Sequence, residues 1–148
     1  MENDKVVAVL NDLLTKNYDA EKGYQEAGEK IEHTSLKTYF DGQAKNRYDF
    51  GHEIKALIVK YGGEPDKGTS VAGDLHRTWI AIRNVFSQGD EAIYEEAIRG
   101  EEAFSTEYGE VLVDEVLPQD VRDLVRKQKE SVDKALSSLR VMEGFTSN

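Results

Sequence analysis

The sequence predicts an all-α protein, a four-helix bundle whose second and third bundle helices are joined by a helical crossover. Three observations predict it. Apolar residues recur at alternating three- and four-residue steps over long stretches, the period of one helix face. The chain has only two prolines, Pro65 and Pro118, so little interrupts a helix. Glycines punctuate the ends of the periodic stretches, at Gly62-Gly63 and Gly89.

The first segment runs from about Asp4 to Glu32 and carries Leu10, Leu14, Tyr24 and Ile31. His33-Thr34-Ser35 makes a turn. The second runs from about Leu36 to Tyr61, with Tyr39, Phe50, Ile54 and Leu57 on its apolar stripe, and Gly62-Gly63 stops it. A loop from Glu64 to Gly68 includes Pro65. The third segment, about Thr69 to Ser87, carries Val71, Leu75, Trp79, Ile82 and Phe86. The fourth, about Asp90 to Glu115, carries Ile93, Ala97, Phe104, Tyr108 and Val111. The fifth opens near Pro118, a residue suited to a first helical turn, and carries Val121, Val125, Val132, Ala135 and Leu139. One domain is expected over residues 1–143, with 144–148 as a frayed tail.

Four of these segments span roughly 37–44 Å and the third about 28 Å, at the helical rise per residue. Short turns make segments one and two an antiparallel pair, and likewise four and five. A helical third segment carries the chain back along the bundle, so segments two and four run parallel. Five helices in this order give the ferritin-like topology. Gly100, inside the fourth segment, marks a place where a neighbouring helix comes close, since glycine otherwise weakens a helix centre.

Composition narrows the partners. A chain of 148 residues with a formal charge of −10 has no basic face to neutralise phosphates, which argues against nucleic acid. No apolar run approaches the length of a membrane span and no charged-then-apolar leader opens the sequence, so a cytoplasmic protein is expected. The absence of cysteine removes disulfides and thiolate metal sites. No phosphate-cradling loop or nucleophile–base motif is visible.

Stepping 100° per residue picks out polar side chains on the inner stripes. Glu21 falls among Leu10, Leu14, Asn17, Tyr24 and Gly28 on the first segment. Gln43 and Arg47 fall inside the second stripe, with Glu53 at its edge and His52 pointing away. Glu101 lies between Ala97 and Tyr108 on the fourth, where Glu96 is off the stripe. Gln128 is inside on the fifth, and Glu130 is opposite. Glu21 and Arg47 are each thirteen positions from Thr34 and so lie level. Glu101 comes about 16 Å down its helix against about 18 Å for Arg47. Glu21, Arg47, Glu101 and Gln128 are therefore expected to form a buried polar cluster, in which Arg47 bridges two carboxylates.

Particular motifs carry a resemblance. Ala97-Ile-Arg-Gly-Glu101 resembles the corresponding helix of rubrerythrin-type ferritin-like proteins, where that glutamate binds a di-iron centre. Leu10-Asn-Asp-Leu-Leu, Glu21-Lys-Gly-Tyr, Tyr61-Gly-Gly-Glu-Pro, the stretch from Ser70 to Trp79 and Arg99-Gly-Glu-Glu resemble a bacterial ferritin-like family catalogued as a domain of unknown function. This implies the ferritin-like fold and no established activity. The di-iron pattern needs single glutamates from two helices and Glu-x-x-His from the other two. Glu21 and Glu101 match the single glutamates. Glu53 is followed three residues later by Ala56, and Glu130 by Asp133, so no histidine stands at a ligand position. His33 and His52 read as surface residues; His76, near Trp79, matches the family without a role.

The expectation is thus a metal-free, cofactor-free binding or stress-associated module, with a homo-oligomer as a possible state and no enzyme activity favoured. The alternative is a di-metal carboxylate oxidase or iron-handling protein, holding iron or manganese through Glu21, Glu53 and Glu101. A small-molecule pocket beside Tyr18, Tyr24 and Tyr108 is a third reading, against ordinary core packing of those rings.

Overall fold

Four helices carry the described chain: α1 (Glu2–Lys30), α2 (Thr34–Lys60), α3 (Asp90–Val113) and α4 (Gln119–Thr146). They come from a computed structural model that describes residues 2–67, 84, 85, 88–114 and 116–146. Among these residues there is no strand. The expected crossover helix, with Trp79 and His76, lies outside the described residues. The last helix continues through Thr146, past the point at which the sequence suggests fraying.

Side-chain pairings fix the directions. Gly28 lies against Asp41 and Gly63 against Val7, so α1 and α2 are antiparallel. Ser105 bonds Asp133 and Arg140 bonds Glu102, so α3 and α4 are antiparallel too. Lys16 reaches Glu107 while Lys5 reaches Asp114, which sets α1 against α3. The Tyr39 hydroxyl donates to the Ala135 carbonyl and Lys60 pairs with Asp120, which sets α2 against α4. It follows that α2 and α3 run the same way. They face one another diagonally, since the main seams are α1–α2, α3–α4, α1–α3 and α2–α4.

Local chemistry accounts for the helix ends. At the end of α2, Gly62 has φ of 81°, a backbone that glycine adopts without a Cβ penalty. Its N–H reaches the Val59 carbonyl and the Gly63 N–H reaches Ile58, the paired bonds of a Schellman stop. The start of α3 follows Gly89, with φ of 99°. There the Asp90 carboxylate accepts the backbone N–H groups of Glu32 and His33, tying the α1–α2 turn to the head of α3. At α4 the Pro118 carbonyl accepts the Arg122 N–H, so the proline opens the helix without needing a donor.

One core runs through all four helices. Leu10, Leu13, Leu14, Phe40, Ile54, Ile58, Ile93, Phe104, Val121, Val132 and Leu139 are buried in it. Gly100 is buried as well. Into this apolar interior the chain also places Asn17, Asp19, Arg47, Glu101 and Gln128. Buried polar groups on this scale must find partners or they oppose folding.

Candidate functional site

Arg47 crosses the core from α2 to Glu101 on α3, the diagonal pair of helices. Its Nη1 donates to Glu101 Oε1 at 2.9 Å and its Nη2 to Oε2 at 2.7 Å. Both side chains are 0% exposed. Two parallel charge-assisted bonds are the strongest form this pairing takes. Nη2 also donates to Gln43 Oε1, one turn back on α2, at 3.2 Å. Aromatic rings wall the guanidinium in: its carbon lies 4.7 Å from the Phe104 ring centre, 5.4 Å from Tyr24 and 5.9 Å from Phe50. The Nε–H alone has no acceptor.

The sequence builds this pair by spacing. On α3, Ala97, Gly100, Glu101, Phe104 and Tyr108 repeat at three- and four-residue steps and are all buried. On α2, Phe40, Ala44, Arg47, Gly51, Ile54 and Ile58 do the same. Each ion is therefore held between apolar neighbours of its own helix. Burial acts to strip the proton from Arg47, but the Glu101 charge and hydrogen bonds outweigh it, and the group is held above its ordinary range. Burial first, then the Glu101 charge, pushes the Tyr24 phenol well above its usual value.

A second polar chain lies beside the first. The Tyr108 hydroxyl donates to Gln128 Oε1 at 2.6 Å and accepts from Asn17 Nδ2 at 2.9 Å. Asn17 Nδ2 also donates to the Leu13 carbonyl, and Gln128 Nε2 to the Phe50 carbonyl at 3.3 Å. Side chains from α1, α3 and α4 and a carbonyl of α2 thus meet in one network. The Phe104 and Tyr108 rings, stacked with centres 5.2 Å apart, join it to the ion pair. Burial raises the Tyr108 phenol, more than its bond from Asn17 and the Arg47 charge lower it.

Arg47 and Glu101 therefore come together, while Gln128 belongs to the neighbouring chain of hydrogen bonds. Glu21 is a correction to the expected cluster. It is half-buried on the α1–α2 seam, and the hydrogen bond it makes is a long one from Gln25 Nε2, at 3.5 Å. The rotation that aligns Glu21 with Leu14 and Gly28 points it at the seam, where Gly28 faces Asp41 and Phe40. Tyr24 and Asn17 take the places nearer the axis. Partial burial pushes the Glu21 carboxyl upward, with the charges of Lys55 and His52 acting against it.

The alternative metal set is also dispersed. Glu101 is taken by Arg47, Glu21 sits on the α1–α2 seam, and Glu53 lies on the α2–α4 seam beside Gln128 and Lys127. Among the described residues no three His, Cys, Asp or Glu side chains come close enough to hold a metal ion. His33 and His52 are exposed, and the His52 ring packs edge-on against Tyr48. The three candidate pocket tyrosines divide: Tyr24 and Tyr108 are core residues, and Tyr18 lies under Lys55, whose Nζ is 5.3 Å from its ring centre.

Sequence reasoning missed the Asn17–Tyr108–Gln128 chain. The signal was present, because an asparagine on an inner stripe has to be satisfied and Tyr108 lies seven residues from Glu101 on the same face.

Residues 5–114 match the family described as Domain of unknown function (DUF2383), and the chain belongs to that family. No curated protein matches the chain. Among the described residues, no helix is long and apolar enough to cross a membrane.

Proposed function

We propose that this member of the DUF2383 family is a ferritin-like bundle in which an ion pair stands where related bundles hold metal cations, so that it works as a metal-free binding module. The bidentate Arg47–Glu101 pair, with both partners 0% exposed, carries the reading. A permanently charged guanidinium supplies the positive charge that a carboxylate in this position requires, and it does so without a metal. Topology supports the same fold. The described helices α2 and α3 run in the same direction, as the second and third bundle helices of a ferritin-like fold do.

The interior polar groups serve specificity of packing in this reading. The ion pair locks the α2–α3 diagonal and the Asn17–Tyr108–Gln128 chain locks the register of all four helices. Binding then belongs to the outer surface, in a cytoplasmic, stress-associated setting and as a homo-oligomer. The test is metal content. Protein incubated anaerobically with ferrous or manganous ion, desalted and analysed by inductively coupled plasma mass spectrometry is expected to retain neither. Retention of one or two ions per chain would overturn the proposal.

A further inference from the structure

Two stretches that the sequence singles out, residues 10–14 and 61–65, meet where α2 stops. Asn11 on α1 joins them. Its Nδ2 donates to the Glu64 carbonyl at 3.1 Å, and its Oδ1 accepts the Asp66 N–H at 2.8 Å. One side-chain amide thus spends its donor and its acceptor on the backbone to either side of Pro65, which has no N–H of its own to offer. Next to this contact Gly63 lies on Val7 so closely that a Cβ would come 2.5 Å from Val7 Cγ1. On the other side of the turn the Tyr61 hydroxyl donates to Asp120 Oδ1 at 2.6 Å, and Lys60 pairs with the same carboxylate. The turn is therefore held between α1 and the head of α4, across the diagonal that Arg47 does not span.

Helix and turn are anchored by different means. Ile54 and Ile58 of α2 are buried in the core. None of residues 61–67 is buried, and both Asn11 bonds lie at the surface. A segment held by exposed hydrogen bonds, with few buried apolar groups, opens locally at a free energy below that of global unfolding. The fixed φ of Pro65 stiffens the backbone between Glu64 and Asp66, so the two groups bound to Asn11 leave and return together.

We propose that residues 61–66 form a latch that opens and closes on α1 while the four helices stay folded, and that the Asn11 amide sets its equilibrium. Closing needs a donor and an acceptor on one short side chain, together with a position 63 that has no Cβ. Opening breaks both Asn11 bonds and uncovers Val7. The latch gives both stretches a common purpose, since each supplies one half of it.

Native-state hydrogen exchange of the intact chain, read by NMR at the Asp66 amide, tests this. Asn11→Ala should speed exchange at Asp66 about tenfold, the loss of two hydrogen bonds of ordinary strength, while Ile54 and Ile58 stay within about twofold of the wild type. Gly63→Ala should speed the same amide by pressing its Cβ on Val7, and adding Val7→Ala should return part of the protection. Asp12→Asn, beside Asn11 but paired with Lys16, should leave Asp66 unchanged. Unprotected exchange at Asp66 in the wild type, or no change there in Asn11→Ala, would show that Asn11 does not hold the turn. An increase shared equally by Ile54 and Ile58 would show that the turn opens only with the bundle, and would overturn the latch as well. The outcome is independent of the metal-content experiment, because it depends on neither Arg47 nor Glu101.

Discussion

Replacing Arg47 by methionine tests whether the buried ion pair holds the bundle together. Methionine keeps most of the aliphatic stem, so the change falls mainly on the guanidinium. What remains is a Glu101 carboxylate at 0% exposure with its two hydrogen bonds from Arg47 gone. Orphaning one member of a buried pair costs about 3–5 kcal/mol. The lost contacts with three aromatic rings act in the same direction. Against a typical domain stability of roughly 5–15 kcal/mol this is a large fraction, and the melting temperature should fall by about 10 °C. The double variant Arg47→Met with Glu101→Leu removes both charges. It should recover at least about 2 kcal/mol of the loss, since apolar replacements of a buried pair are often neutral. Glu53→Ala, at a side chain 39% exposed, should cost less than about 1 kcal/mol. Urea unfolding of the wild type, Arg47→Met, Glu101→Leu and the double variant closes the double-mutant cycle, with Glu53→Ala as the control. The reasoning fails if Arg47→Met costs no more than Glu53→Ala, or if the double variant is as unstable as the single one.

Three further outcomes are expected. Gly63→Ala should destabilise by about 1–3 kcal/mol, because its Cβ would meet Val7 Cγ1 at 2.5 Å and Cγ2 at 2.7 Å, whereas Gly42→Ala meets nothing and should gain up to about 1 kcal/mol in melting experiments. Tyr108→Phe strands Gln128 Oε1 and should cost about 1–3 kcal/mol in urea, against almost nothing for Tyr48→Phe, whose side chain is half-exposed. Partial burial, acting against the opposing charges of Lys55 and His52, holds the Glu21 pKa in the folded state above its unfolded value, so its contribution is present at low pH and is lost as pH rises through the folded value. Glu21→Gln should therefore gain on the wild type as unfolding is measured from pH 4 to pH 7, and a falling difference would refute the assigned direction.

The helices were legible because their apolar residues keep a strict period and their stops are written in glycine. Gly62-Gly63 reads as a helix end, and the Schellman bonds to Val59 and Ile58 are its physical form. The end of α1 was less legible. Periodicity carries it to Glu32, yet the helix stops at Lys30, because Asp90, far along the chain, takes the Glu32 and His33 N–H groups. A local pattern has no access to that competitor.

The polar interior divides on the same principle. Arg47 and Glu101 were found from rotation alone, since each is centred between buried residues of its own helix and has no route to water. A centred charge has to pair, so angle and height suffice to identify its partner. Glu21 has the angle of Leu14 and Gly28, both buried, and still escapes. A leucine at such a position stays in because burial is favourable, and a glycine because it has no side chain to move. A glutamate there has a long stem and, across the seam, an open groove lined by Asp41, Ala44, Lys45 and Tyr48. Leaving a carboxylate inside without a cation costs more than turning it outward. The rotation angle therefore locates a charged side chain only when its neighbours close every exit, and the groove on the α1–α2 seam leaves one open for Glu21.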